Sequence, residues 1–128
     1  MSPDDVLEFF DESGLLRRVH SSQVVLDKNS GKYRPSSAAF NDNNLSVDIE
    51  TILTSRNFDW TFTLKGHEGF SLVRFSAEIA RDLGQKVILC EIPGNPAHGE
   101  VRGKKTGAVK GKLVEQSEWV HLSTVHLS

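Results

Sequence analysis

Three stretches of the chain carry side chains that do chemistry: Arg17, Arg18 and His20 near the start, Ser36 and Ser37 in front of Ala38-Ala39-Phe40, and His98, Glu100 and Arg102 in the last third. Strand alternation puts His98, Glu100 and Arg102 on one face, with Ala97, Gly99 and Val101 on the other. An imidazole beside a carboxylate can be held in one tautomer and used as acid, base or ligand, and a neighbouring arginine fixes an anion. The plainer reading is a solvated face on an edge strand. Leu16, Arg18 and His20 share a face in the same way. If their strand lies beside 97–102, Arg18, His20, His98 and Glu100 converge on a site for a phosphate or carboxylate. The alternative is an arginine near a turn that satisfies backbone carbonyls. Ser36 and Ser37 follow Pro35, so their hydroxyls meet either a ligand or the local turn backbone.

The one strongly basic segment is Arg102-Gly103-Lys104-Lys105-Thr106-Gly107, with Lys110 and Lys112 behind it. Amides at a helix start together with ammonium groups bind phosphate well, so Arg102, Lys104 and Lys105 are candidate contacts for a phosphate or a partner. The alternative is a solvated basic turn. It is not a Walker loop: His98 stands where the first glycine belongs, and Lys104 is followed by Lys105 rather than Ser or Thr. With no groove-reading helix and no interleaved aromatics, nucleic acid is not the expected partner. His98-x-Glu100 matches half of a zinc deaminase signature, whose Cys-x-x-Cys half a chain with one cysteine cannot supply. His67, His121 and His126 do not stand at ligand spacing, and no metal is expected.

Composition narrows the setting. A chain of 128 residues fits a single domain, 1–128, and its seven Phe and two Trp supply a core. A formal net charge of -2 gives no global field toward nucleic acid or anionic lipid. The lone Cys90, among Ile88, Leu89 and Ile92, reads as a buried, inert thiol in a reducing compartment. The start lacks a basic and apolar leader, and no window nears the roughly 18 apolar residues of a membrane span, so the expected location is cytoplasmic.

The elements that must position these groups follow from pattern. Ser2-Pro3-Asp4-Asp5 predicts a helix start, with Val6, Phe9 and Phe10 as its apolar stripe and Gly14 as its end. Residues 15–26 read as strand, bend and second strand, and 27–34 as turn-rich. Leu45, Val47 and Ile49 alternate with Ser46, Asp48 and Glu50, and Trp60, Phe62 and Leu64 with Thr61 and Thr63, each pattern predicting a half-exposed strand. Leu72, Val73 and Phe75 suggest a strand, after which Ser76 caps a short helix that Gly84 ends. Residues 87–92 read as a central strand, Pro93-Gly94-Asn95-Pro96 as a turn, and 106–120 as a last helix weakened by Gly107 and Gly111. The whole predicts an α+β fold: a mostly antiparallel, twisted sheet packed by N-terminal, middle and C-terminal helices.

Arg17-Arg18-Val-His20, Arg34-Pro-Ser-Ser-Ala-Ala-Phe40, Leu45-Ser-Val-Asp48 and Asn95-Pro-Ala-His98-Gly-Glu100-Val-Arg-Gly-Lys-Lys-Thr106 resemble a family of small uncharacterised bacterial proteins, over about 15–120. That resemblance implies a bacterial, single-domain identity and no particular activity. A fainter one is to the compact ADP-ribosyltransferase-like domains. It would make Arg18 and His20 the NAD-contacting pair of an early strand and Ser46 the hydroxyl beside the nicotinamide ribose. That family sets its catalytic Glu in a Glu-x-Glu or Gln-x-Glu motif; Glu100, which stands outside such a motif, is a candidate for that acid.

The resulting expectation is a polar pocket built from Arg18, His20, Ser46, His98 and Glu100 for an anionic ligand such as a nucleotide or NAD. In its sharper form Arg18 and His20 hold the anion, and His98 and Glu100 supply acid–base chemistry. The competing expectation is a non-enzymatic accessory protein, in which Trp60 or Trp119 and the basic segment meet a protein partner.

Overall fold

The computed structural model describes residues 13–123. Among these residues, eight strands and four α-helices form an α+β fold. The strands are β1 Gly14–Val19, β2 Val24–Asp27, β3 Lys32–Pro35, β4 Asn44–Ile49, β5 Ser71–Ser76, β6 Lys86–Leu89, β7 His98–Arg102 and β8 Glu118–His121. The helices are α1 Glu50–Ser55, α2 Thr61–Leu64, α3 Ala77–Asp82 and α4 Gly107–Gln116, joined by 3-10 turns at Ser21–Gln23 and Ser37–Phe40. The main sheet runs β6-β7-β4-β1-β5-β8 with every pair antiparallel, and β2 and β3 form a separate hairpin.

Period-two alternation divides this sheet into two unlike faces. Leu15 and Val19 of β1, Leu45, Val47 and Ile49 of β4, and Val73 and Phe75 of β5 point to the first face and are buried. Helix α3 starts there because the Ser76 hydroxyl accepts from the Ile79 N–H at 3.2 Å, and Thr106 does the same for α4 through Val109 at 3.2 Å. The α4 residue Leu113 is fully buried against this face, and the 3-10 turn after Ser36 delivers Phe40 edge-on to Phe75, with centroids 5.9 Å apart.

The second face is only partly roofed. Leu16, Leu53, Leu72 and Ala97 are buried there under Trp60, Phe62 and Leu64 from α2 and its approach. Beyond that small cluster the face belongs to Arg18, Ser46, Asp48, His98 and Glu100, which the register places side by side: Leu16 pairs with Asp48, Asp48 with His98, and Ser46 with Glu100.

Several elements differ from the sequence expectation. Trp60 to Leu64 holds one helical turn rather than a strand, because Asp59 Oδ1 accepts from the Thr61 N–H at 3.0 Å and starts a coil in which Trp60 and Leu64 share a face at i, i+4. The apolar run 87–92 is an edge strand rather than a central one: it ends at Leu89, and Ile92 is exposed. Strand β7, flanked by β6 and β4, is therefore interior rather than an edge. The last helix stops at Gln116, and Trp119 and Val120 lie in β8, where β-branched and aromatic residues pair with β5. Gly14 opens β1 instead of closing a helix, and the helix expected from Ser2 lies outside the described residues.

Candidate anion-binding site

The site forms where the sheet opens. Strand β1 pairs with β5 along its full length but with β4 only at Leu15 and Leu16. Past that point the Arg17 guanidinium stands in for the ladder on the first face, donating to Ser46 O at 3.0 Å and to Ala39 O at 3.0 Å. On the second face the same divergence leaves a recess of about 230 Å³ lined by Leu16, Arg18, Ser46, Val47, Asp48, His67, Ile92, Asn95 and His98. A second hollow of about 240 Å³ shares Arg18, Asp48, His67 and Asn95 with it and adds Phe62, Thr63, Lys65 and Gly94.

Asp48 ties down the walls. It is 3% exposed, with Oδ2 accepting from the Thr63 hydroxyl at 2.8 Å and Oδ1 from the Asn95 amide at 2.8 Å. Asn95 closes a type II-like turn in which Pro93 presets φ, Gly94 takes φ +80°, and the Asn95 N–H donates to Ile92 O at 3.0 Å. Both oxygens of Asp48 are thus engaged in holding α2 and the 92–95 turn against the sheet, a positioning role.

Arg18 is the cation of the recess. Among the described residues its one side-chain hydrogen bond runs from Nη1 to Thr63 O at 3.1 Å, and no carboxylate forms an ion pair with it. His98 donates from Nδ1 to Cys90 O at 2.8 Å; because a carbonyl only accepts, the neutral ring keeps its lone pair on Nε2. His67, held by the Leu64–His67 turn and edge-on to Phe70, has its pKa lowered by burial first and by the Arg18 charge second, against a smaller opposing pull from Asp48. At neutral pH its ring is an uncharged donor and acceptor.

The structure therefore brings together Arg18, Ser46 and His98 of the residues singled out from sequence, and adds Asp48, His67 and Asn95. It places the others elsewhere. His20 lies just past the end of β1, where its Nδ1 accepts from the Ser22 N–H at 3.1 Å to cap a 3-10 turn and its ring packs edge-on to Phe70; it does not line the recess. Glu100 sits one register step beyond, with Oε1 accepting from Arg102 Nε at 2.8 Å, and it too is absent from the lining. Ser36 precedes a 3-10 turn without a side-chain cap, and Ser37 is exposed. Lys105, 7% exposed, spends all three ammonium hydrogens on backbone carbonyls: Asn43 O at 3.2 Å, Val101 O at 2.9 Å and Gly103 O at 2.9 Å. It anchors the β7–α4 connection, while Lys104 stays exposed. Cys90 is half-buried rather than enclosed, with the Arg102 guanidinium 3.9 Å from its sulfur. Trp119 donates its indole N–H to Tyr33 O at 3.0 Å, and Trp60 stacks on His121 at 5.4 Å, so both indoles have intramolecular partners.

Among the described residues no group of three or more His, Cys, Asp or Glu could hold a metal ion, and no helix is long and apolar enough to cross a membrane. No family model, curated protein or solved structure matches this chain.

Proposed function

We propose that this protein binds a small anionic ligand in the recess between β1 and β4, gripping its phosphate or carboxylate group. The observation that carries this reading is Arg18: a half-buried guanidinium without an ion-pair partner among the described residues, facing a hollow that it shares with two imidazoles and the Ser46 side of β4. A guanidinium withdrawn from water and left with several unused donors is best stabilised by a planar or tetrahedral oxyanion, which takes two of those donors at once. His67 offers a ring N–H to that group, and the His98 Nε2 lone pair accepts from a hydroxyl of the ligand. A nucleotide meets these requirements at its phosphate.

The test is calorimetric and thermal. Inorganic phosphate at about 100 times its dissociation constant raises folding stability by about 2.7 kcal/mol, and Arg18→Met abolishes that gain while the variant still folds. Equal stabilisation of both proteins would move the binding site elsewhere, and no effect of phosphate, sulfate or acetate on the parent protein would refute the reading.

A further inference from the structure

We infer that the ligand of this recess is a nucleotide, its base seated on Phe58 and Phe62 and its phosphate at Arg18; the inference rests on the anion-binding reading above. A shallow concavity of about 650 Å³ lies beside the polar hollows, lined by Phe58, Trp60, Phe62 and Lys65 among others. Phe62 and Lys65 line both this concavity and the Arg18 hollow, so the two meet at those side chains. A further concavity on the other flank joins Phe58 to Ile92 and Asn95, the last two of which also line the recess.

Of the three large apolar side chains exposed among the described residues, Ile92 at 43% lines the recess itself, and Phe58 at 42% lines the concavities on either side of Phe62 and Ile92 that adjoin it. Phe62 packs on Phe58, with centroids 4.5 Å apart and rings tilted by 31°, and Phe58, 42% exposed, keeps aromatic surface that a flat heterocycle covers. Charge fixes which way round the ligand lies. Asp59 on the rim of the aromatic concavity is held ionised by hydrogen bonds from Thr61, its pKa lowered, and it repels an anionic group there. Arg18, which lines the polar hollow and not the aromatic concavity, attracts one, and Lys65 stands where the two meet. An uncharged ring over the phenylalanines, a bridging sugar past Lys65 and a phosphate at Arg18 match that polarity.

Isothermal titration of adenosine monophosphate, ribose 5-phosphate and inorganic phosphate against the parent protein, Phe58→Ala and Arg18→Met tests this. Stacking of one base predicts at least about fivefold tighter binding of the nucleotide than of ribose 5-phosphate. Phe58→Ala removes most of that margin and leaves the binding of inorganic phosphate unchanged, whereas Arg18→Met weakens all three. Equal affinities for nucleotide and ribose 5-phosphate, or a nucleotide margin that survives Phe58→Ala, overturn the base assignment while the anion site stands. Failure of all three ligands to bind the parent protein overturns both.

Discussion

Arg17 and Arg18 are neighbours in sequence and opposites in use. Alternation sends Arg17 to the helix-covered face, where its guanidinium bridges Ala39 O and Ser46 O and burial lowers its pKa, with Arg18 adding to the effect. It sends Arg18 to the half-roofed face, where its one side-chain bond among the described residues is to Thr63 O and the rest of the group borders a hollow. The same residue type is thus a structural brace on one side of a strand and, in the proposed function, an anion receptor on the other. What separates them is the number of backbone carbonyls within reach, which the local divergence of β1 from β4 decides. Lys105 with its three carbonyls belongs with Arg17.

The contrast between the faces should appear first in stability. Phe40→Ala, which empties a fully buried ring site on the covered face, costs about 3–5 kcal/mol in urea unfolding. A loss below about 1 kcal/mol would mean the covered face is not the core. Next come the two arginines. Arg17→Met strands two carbonyls in half-buried surroundings and costs about 2 kcal/mol, while Arg18→Met costs under about 1 kcal/mol and removes anion binding instead. Similar stability losses for the two variants would erase the distinction drawn between them.

The smallest effect is that of pH. His67 in the folded protein binds a proton less readily than in the unfolded chain, so its contribution to stability is complete above the ordinary histidine pKa of about 6.5 and is lost as pH falls below it. Stability between about pH 7 and 5 should therefore fall less steeply in His67→Gln than in the parent protein. Bound phosphate, which favours the protonated ring, should flatten the parent's slope as well. An unchanged slope in the variant would remove His67 from the titration.

Much of the fold was legible because period-two alternation is local. Leu45-Ser-Val-Asp-Ile and His98 to Arg102 pair in β4 and β7 with the faces the pattern predicts, and Ser76 caps its helix as its hydroxyl and position suggest. Trp60 to Leu64 misled because five residues satisfy period two and i, i+4 equally well; Asp59 with Thr61 two positions on was the available sign of a turn. The site was half legible. Arg18, Ser46 and His98 were marked by type and alternation, but Asp48 read as one more solvent-facing polar residue until α2 folded over it. The 93–96 turn was legible, but nothing local marks Asn95 or His67 as facing this strand surface: Asn95 is brought there by its bond to Asp48, 47 residues away, and His67 by the turn it makes with Leu64 at the end of α2. His20 misled for a related reason: it falls one residue past β1, where cap chemistry outweighs the strand's alternation.

The most direct test of the central claim is a phosphate titration followed by NMR of the backbone amides and the histidine ring nitrogens. Binding in the recess predicts saturable shifts centred on Arg18, Ser46, His67, Asn95 and His98, with the His98 Nε2 resonance moving and His20 still. Shifts centred instead on Lys104, Lys110 and Lys112, or none that saturate, would contradict it.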